Sequence, residues 1–136
     1  MNHRRLTMVA SVVFAAFAGI CSIPPAGAQV PGFKRVELQR HDLATPDREV
    51  VVARGEFQAG AVVPKHTHPG DEVGYVLEGE LTVEMEGKPA LKLKAGDTFL
   101  VPAGTVHTGK NAGKVAVAVI STYIIEKGKP ISTPAK

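Results

Sequence analysis

Four side chains in this sequence have the chemistry to hold one metal ion. His66 and His68 lie two apart within GAVVPKHTHPGDEVGYVLEG, residues 60–79, and Glu72 follows four residues after His68. Successive side chains of an extended strand point to opposite faces, so residues i and i+2 share one face. His66 and His68 therefore point one way and Thr67 the other. Two imidazoles and a carboxylate aimed at one volume make most of a metal site, and His107 offers a third imidazole downstream. Neutral imidazole with carboxylate suits divalent iron, manganese, nickel, copper or zinc better than calcium or magnesium. A His-x-His pair alone also occurs on ordinary strand surfaces, and by residue type both readings stand.

The elements that must position these groups read as short strands. Residues 49–57 alternate, with Val51, Ala53, Gly55 and Phe57 on one face and Arg54 and Glu56 on the other. Strands are also expected at 34–39, 62–68, 72–77, 81–86, 98–101 and 115–126, with a loop over 43–48. Leu81, Val83 and Met85 point inward from the strand over 81–86, and Glu84 and Glu86 are expected to face Lys92 and Lys94 across a hairpin. Residues 115–126 are apolar on both faces and need cover on the outer one. Residues 128–136 show no periodicity, and 129–136 are expected to form a mobile tail. No segment has helical spacing, and many short strands punctuated by glycine and proline indicate an all-β sandwich or barrel.

The punctuation around the histidines is more informative than the histidines alone. Gly60, five residues, His66-x-His68, three residues, Glu72, six residues and Gly79 resemble the first motif of the cupin family. Gly96, five residues, Pro102-x-Gly104, two residues, His107, three residues and Asn111 resemble the second. All ten positions match in register, with a sixteen-residue spacer between the motifs. At roughly one chance in twenty per position, coincidence is negligible. The resemblance implies a cupin double-stranded β-helix, a small jelly-roll barrel. It implies metal ligands at His66, His68, Glu72 and His107, and open positions on the ion facing a pocket. It also implies a homodimer burying the outer face of the strand over 115–126; an N-terminal arm is the other candidate cover. The glycines at 60, 79, 96 and 104 are expected at turns with unusual backbone angles, and Asn111 is expected to stabilise a turn.

The first 28 residues read as a secretory leader. Arg4 and Arg5 precede an uncharged apolar run over 6–21, Pro24-Pro25 follows, and Ala26-Gly27-Ala28 places cleavage before Gln29. The apolar run is shorter than the ~20 residues of a membrane span, and bulky Ile20 argues against lipidation at Cys21. The remaining residues 29–136 form one domain by size. Without Arg4 and Arg5 they carry 14 basic and 13 acidic residues, with no cysteine. That balance, with no basic stripe or aromatic platform, excludes a nucleic-acid partner. The leader places the protein in a bacterial periplasm or outside the cell, without a stable membrane anchor.

If Glu72 points inward, period two brings Gly74 and Val76 inward too, and Gly74 would leave open volume for substrate beside the ion. Tyr75, Tyr123, Lys65 and Thr98 are the other polar candidates near the pocket, each better suited to packing or surface. The residues offer no serine or cysteine nucleophile arrangement and no phosphate-cradling loop. The resemblance points to an exported metal-dependent enzyme acting on a small organic molecule, with a dioxygenase-type reaction leading, a lyase or isomerase behind it, and Glu72 as a candidate base. The alternatives are a non-enzymatic cupin that binds or senses a metal or small ligand, and a structural ion.

Overall fold

The structure, a computed structural model, describes residues 30–136. The expected leader, with Cys21 and the cleavage point before Gln29, lies outside the described residues. Ten strands and no helix make up this part of the chain: β1 (Phe33–Asp42), β2 (Arg48–Phe57), β3 (His66–Thr67), β4 (Gly70–Glu78), β5 (Glu80–Met85), β6 (Leu91–Lys94), β7 (Thr98–Val101), β8 (His107–Lys110), β9 (Val117–Glu126) and β10 (Thr133–Pro134). They form two five-stranded sheets, ordered β1-β2-β9-β4-β7 and β10-β3-β8-β5-β6. The pairings are antiparallel throughout. The inner faces enclose the core, and this is the all-β jelly roll that the resemblance to cupins implies.

Alternation explains which faces meet. Val51, Ala53, Gly55 and Phe57 of β2 are buried, as are Gly70, Glu72, Gly74 and Val76 of β4. On β9 the inward set is Val117, Val119, Ser121, Tyr123 and Ile125. One core cluster lies between the sheets around Phe57, Val76, Leu81, Val83, Phe99 and Val101. A second, of Val51, Ala53, Tyr123 and Ile125, lies nearer the histidines. Complete burial of a side chain such as Val51 or Ile125 contributes about 1.5–3 kcal/mol. The outer face of the first sheet keeps Val73, Tyr75, Leu100 and Ile124 exposed. Val73 pairs with Leu100 and with Thr122, and Tyr75 with Thr98 and Ile120, so this apolar surface is continuous.

Several local expectations are corrected. The strand expected over 62–68 shrinks to His66–Thr67, with one isolated bridge from Val62 to Lys110. Pro64 has no N–H to give a ladder, which breaks the strand there. Across the hairpin, Glu80 faces Lys94 and Thr82 faces Lys92. Glu84 instead pairs with Lys110 of β8, at 2.7 Å. The tail is not loose: Thr133 and Pro134 pair with β3, the Ala135 N–H donates to the Lys65 carbonyl at 2.9 Å, and Ile131 packs on the second core cluster. Two residues of ladder and one isoleucine leave no periodic signal, which is why the sequence pattern missed them.

Gly74 does point inward, yet the space beside it is filled. Phe99 of β7 is its cross-strand partner. A Cβ at position 74 would lie 2.0 Å from the Phe99 ring. The volume expected for substrate is therefore occupied by an aromatic side chain covering a bare backbone. Gly74→Ala is expected to destabilise the fold by about 1–3 kcal/mol through overpacking. Thermal unfolding of Gly74→Ala, Phe99→Leu and the double variant checks this, with the double variant less destabilised than the sum of the singles.

Candidate metal centre

The two motifs meet because three strands converge. His66 on β3 is the direct cross-strand partner of His107 on β8. His68 follows β3 as the chain bends at Pro69, and Glu72 reaches in from β4 in the opposite sheet. The turn of the second motif is tied to the first: the Gly104 N–H donates to the His68 carbonyl at 3.0 Å, and the Ala103 N–H to Asp71 Oδ1 at 2.9 Å. Gly104 has φ 72°, a left-handed conformation that favours glycine, and Gly60, Gly79 and Gly96 share it as expected. Asn111, buried in its loop, donates through Nδ2 to the Val115 carbonyl at 2.8 Å and accepts from the Gly113 N–H at 3.0 Å, a turn-stabilising role.

The rings are oriented by the backbone. His66 Nδ1 donates to the Pro64 carbonyl at 2.8 Å, His68 Nδ1 to the Ile131 carbonyl at 2.6 Å and His107 Nδ1 to the Thr105 carbonyl at 2.9 Å. A carbonyl only accepts, so each Nδ1 carries the hydrogen, and in the neutral ring each Nε2 is left with its lone pair. The ligating nitrogens of the three rings lie within 4.8 Å of one another. Glu72 Oε2 is 3.1 Å from His68 Nε2 and 3.4 Å from His107 Nε2. With the rings neutral, lone pairs converge beside the carboxylate with no hydrogen between them, an arrangement that a cation, or a proton on Nε2, relieves. Metal–ligand bonds of about 2.0–2.2 Å place neighbouring donors about 3 Å apart. Glu72 stands near that spacing from two of the rings, and three imidazoles with a carboxylate are donor types that suit a divalent transition ion.

Electrostatics agree with that use. Burial holds the His66 imidazole down at about 4, so it is a neutral ligand at physiological pH. Burial by itself would push the Glu72 carboxyl up, but with a proton on Nε2 the His107 and His68 rings hydrogen-bond it and hold the group well below the usual carboxylate range. Burial, reinforced by the Glu72 charge, pushes the Tyr123 phenol up and keeps it protonated. Its ring packs against His68 with centroids 4.8 Å apart.

A cavity of about 690 Å³ adjoins His66, Glu72 and His107. Its walls include Phe33, Phe57, Val63, Leu81, Val83, Phe99 and Val119, and small Ala53 and Ser121 leave the room that Gly74 does not. Of the other polar candidates, Tyr123 and Lys65 line this cavity, while Tyr75 and Thr98 lie on the outer face. Sequence reasoning missed two contributors. Arg35 lines the cavity from β1, and its phase with Phe33, two residues earlier, was a readable signal. The tail supplies Ser132 to the lining and the Ile131 carbonyl to His68, with no signal in the residue pattern.

Ile131 makes the tail part of the ligand support. A chain ending at Gly128 keeps both sheets apart from β10 but loses the acceptor for His68 Nδ1. Loss of such an outer hydrogen bond typically weakens metal binding about 10- to 100-fold. Chelator-competition titration of the truncated and full chains, with circular dichroism to verify the barrel, checks this drop.

Comparison with known proteins follows the same residues. The Cupin domain family matches residues 53–123, over half of the chain. A germin-like protein of subfamily 2 from Arabidopsis thaliana is 43% identical over 79 residues, covering 54% of this chain and 36% of that protein. Oxalate oxidase 2 of Hordeum vulgare is 33% identical over 82 residues, covering 54% of this chain and 37% of that protein. The chain thus spans little more than a third of these curated relatives. Among solved structures, a recombinant oxalate oxidase in complex with glycolate superposes with a TM-score of 0.63 at 27% identity, covering 79% of this chain and 57% of that one. KdgF from Halomonas sp. superposes with a TM-score of 0.57 at 31% identity, covering 71% and 83%. With its barrel, its two motifs and this family match all falling on the same strands, the chain belongs to the cupin family.

Proposed function

We propose that this cupin is an exported metal-dependent enzyme acting on a small organic molecule, with one divalent transition ion held by His66, His68, Glu72 and His107. The observation that carries the reading is the set of three Nδ1–H bonds to backbone carbonyls, which leaves three Nε2 lone pairs converging beside a buried carboxylate. An ion there would supply Lewis acidity and, for iron, manganese or copper, redox chemistry. The adjoining 690 Å³ cavity favours turnover or ligand binding over a structural ion, which needs no open volume beside it. Oxygen-coupled oxidation leads as the reaction class, supported by the similarity to oxalate oxidases. Lyase or isomerase chemistry and non-catalytic sensing are the alternative outcomes of its tests.

The protein's own residues have distinct tasks. The apolar walls exclude water and orient the organic body of a substrate beside the imidazoles. Among the described residues Glu72 is the carboxylate that lines the cavity, placed to take a proton from a substrate held there. The Tyr123 phenol packs His68 in place and stays protonated. The leader sends the chain to the periplasm or beyond. The exposed face around Val73, Tyr75, Leu100 and Ile124 pairs with the same face of a second copy, because its centre is apolar and self-complementary by symmetry.

Two measurements check this reading. Elemental analysis of the protein, exported natively and purified without tag or chelator, is expected to find about one equivalent of a transition metal, lost in His66→Ala and His107→Ala. Iron, manganese or copper with oxygen uptake on a small-molecule panel supports the oxidative reading; zinc alone turns it toward a lyase, isomerase or sensor. Light scattering is expected to show two chains per particle, reduced to one by Ile124→Lys with Tyr75→Lys. A single wild-type chain per particle would rule out the dimer.

A further inference from the structure

The charges around the cavity are one-sided. Its lining carries the cations Arg35 and Lys65 against one acid, Glu72, while Lys34, one residue from Arg35, lies opposite Glu56 on the other face of the ladder. Glu72 is already engaged by two histidines. A bound divalent ion would add further positive charge. The cavity therefore suits a negatively charged guest, while its aromatic and aliphatic walls suit an apolar one.

Arg35 is the cation placed to decide this. It lies opposite Gly55 in the β1–β2 ladder, two residues from Phe33, whose ring packs on inward-facing Phe57 with centroids 4.6 Å apart. The Arg35 side chain thus leaves β1 on the cavity side, over a partner that has no side chain of its own. Its Nη2 donates to Ser132 Oγ at 3.4 Å, a long bond that reaches across to the tail. β1 and β10 are edge strands of the two sheets, so this contact spans the gap between the sheet edges. The neighbouring Arg40 takes both Glu37 and Glu49, and among the described residues Arg35 has no carboxylate partner. Its charge acts on Tyr123, which touches the ligand His68. A guanidinium offers five N–H donors in a planar fork that matches a carboxylate, and here its neighbours are the hydroxyls of Ser132 and Tyr123 rather than an acid.

We propose that Arg35 anchors the carboxylate of the substrate, so that this site takes small monocarboxylic acids with an aromatic or branched aliphatic body. The carboxylate then lies on the Tyr123 and His68 side of the cavity, and the body lies against Phe33 and Phe57. An acid as small as oxalate would leave most of a 690 Å³ cavity unfilled. The inference rests on the reading of this cavity as the substrate site, and it adds the anchoring residue and the substrate class.

Benzoate and benzamide share a shape and differ in charge, which makes them the probes. The full chain is expressed with its leader and purified from the exported fraction. Titration calorimetry follows each probe on zinc-loaded and on metal-free protein. Benzoate is expected to bind at least about tenfold more tightly than benzamide in both states. Arg35→Gln is expected to weaken benzoate roughly 10- to 100-fold, the range of a charge-assisted hydrogen bond. The same variant is expected to leave benzamide affinity, zinc content and melting temperature unchanged, and Arg35→Lys to restore part of the preference. Equal benzoate affinity in Arg35→Gln and wild type, loss of the preference on removing zinc, or binding of neither probe would each overturn the proposal. A wild-type protein that takes up no metal would sink the metal-enzyme reading, while the metal-free titrations would still decide the role of Arg35.

Discussion

Three hydrogen bonds from ring nitrogens to backbone carbonyls govern this structure. Pro64, Thr105 and Ile131 each present a carbonyl to the Nδ1 of a histidine, and each bond sets a tautomer and a ring orientation together. Without them three imidazoles and a carboxylate would be a crowded polar cluster in an apolar barrel, costly to bury. With them the lone pairs point at one volume, and the cluster becomes a receptor for a cation. The carbonyls come from the segment before β3, the turn before β8 and the tail. The fold must therefore hold three separate stretches in register around one point.

The rest of the architecture follows from that demand. Glu72 can complete the set only from the opposite sheet, so the site forms where the sheets face each other. The tie from Gly104 to the His68 carbonyl fastens the second motif's turn to the first motif's histidine. Packing behind the site is dense: Tyr123, Val51 and Ile125 form their own cluster, with Ile131 laid on it. The same isoleucine that packs there brings its carbonyl to His68, so hydrophobic burial and ligand orientation are achieved by one residue. On the opposite side, Phe99 over Gly74 closes the barrel and leaves the cavity to open toward β1 and the tail.

That asymmetry shapes the chemistry available. One wall of the cavity is aromatic and aliphatic, one end carries the imidazoles, and the edge segments carry cations. A guest must satisfy all three, which narrows the field further than the metal ligands alone can. Fold does not assign a reaction, and the same ligand set serves many; the walls and the edge charges are where one cupin differs from another.

The sequence determined what is local or repeats with a short period. Spacing alone put His66 and His68 on one face, and alternation identified the buried residues of β2, β4 and β5, whereas β9, apolar on both faces, left its inner face open. Turn glycines announced their positions through the two motifs, and through them the barrel was readable before any coordinates. Tertiary structure alone decided what depends on partners distant in the chain. Glu84 chose Lys110 of β8 over the lysines of its own hairpin, because register depends on pairings that a single strand's pattern does not specify. Phe99 filled the space that Gly74 left, because a missing side chain says nothing about what its cross-strand neighbour will do. The aperiodic tail docked because one isoleucine found a core and one carbonyl found His68, contacts of 63 residues' separation in the second case. Arg35 gained its place because β1 and the tail end at facing sheet edges. Local residue patterns encode which face a side chain takes; only the closed barrel decides what stands opposite it.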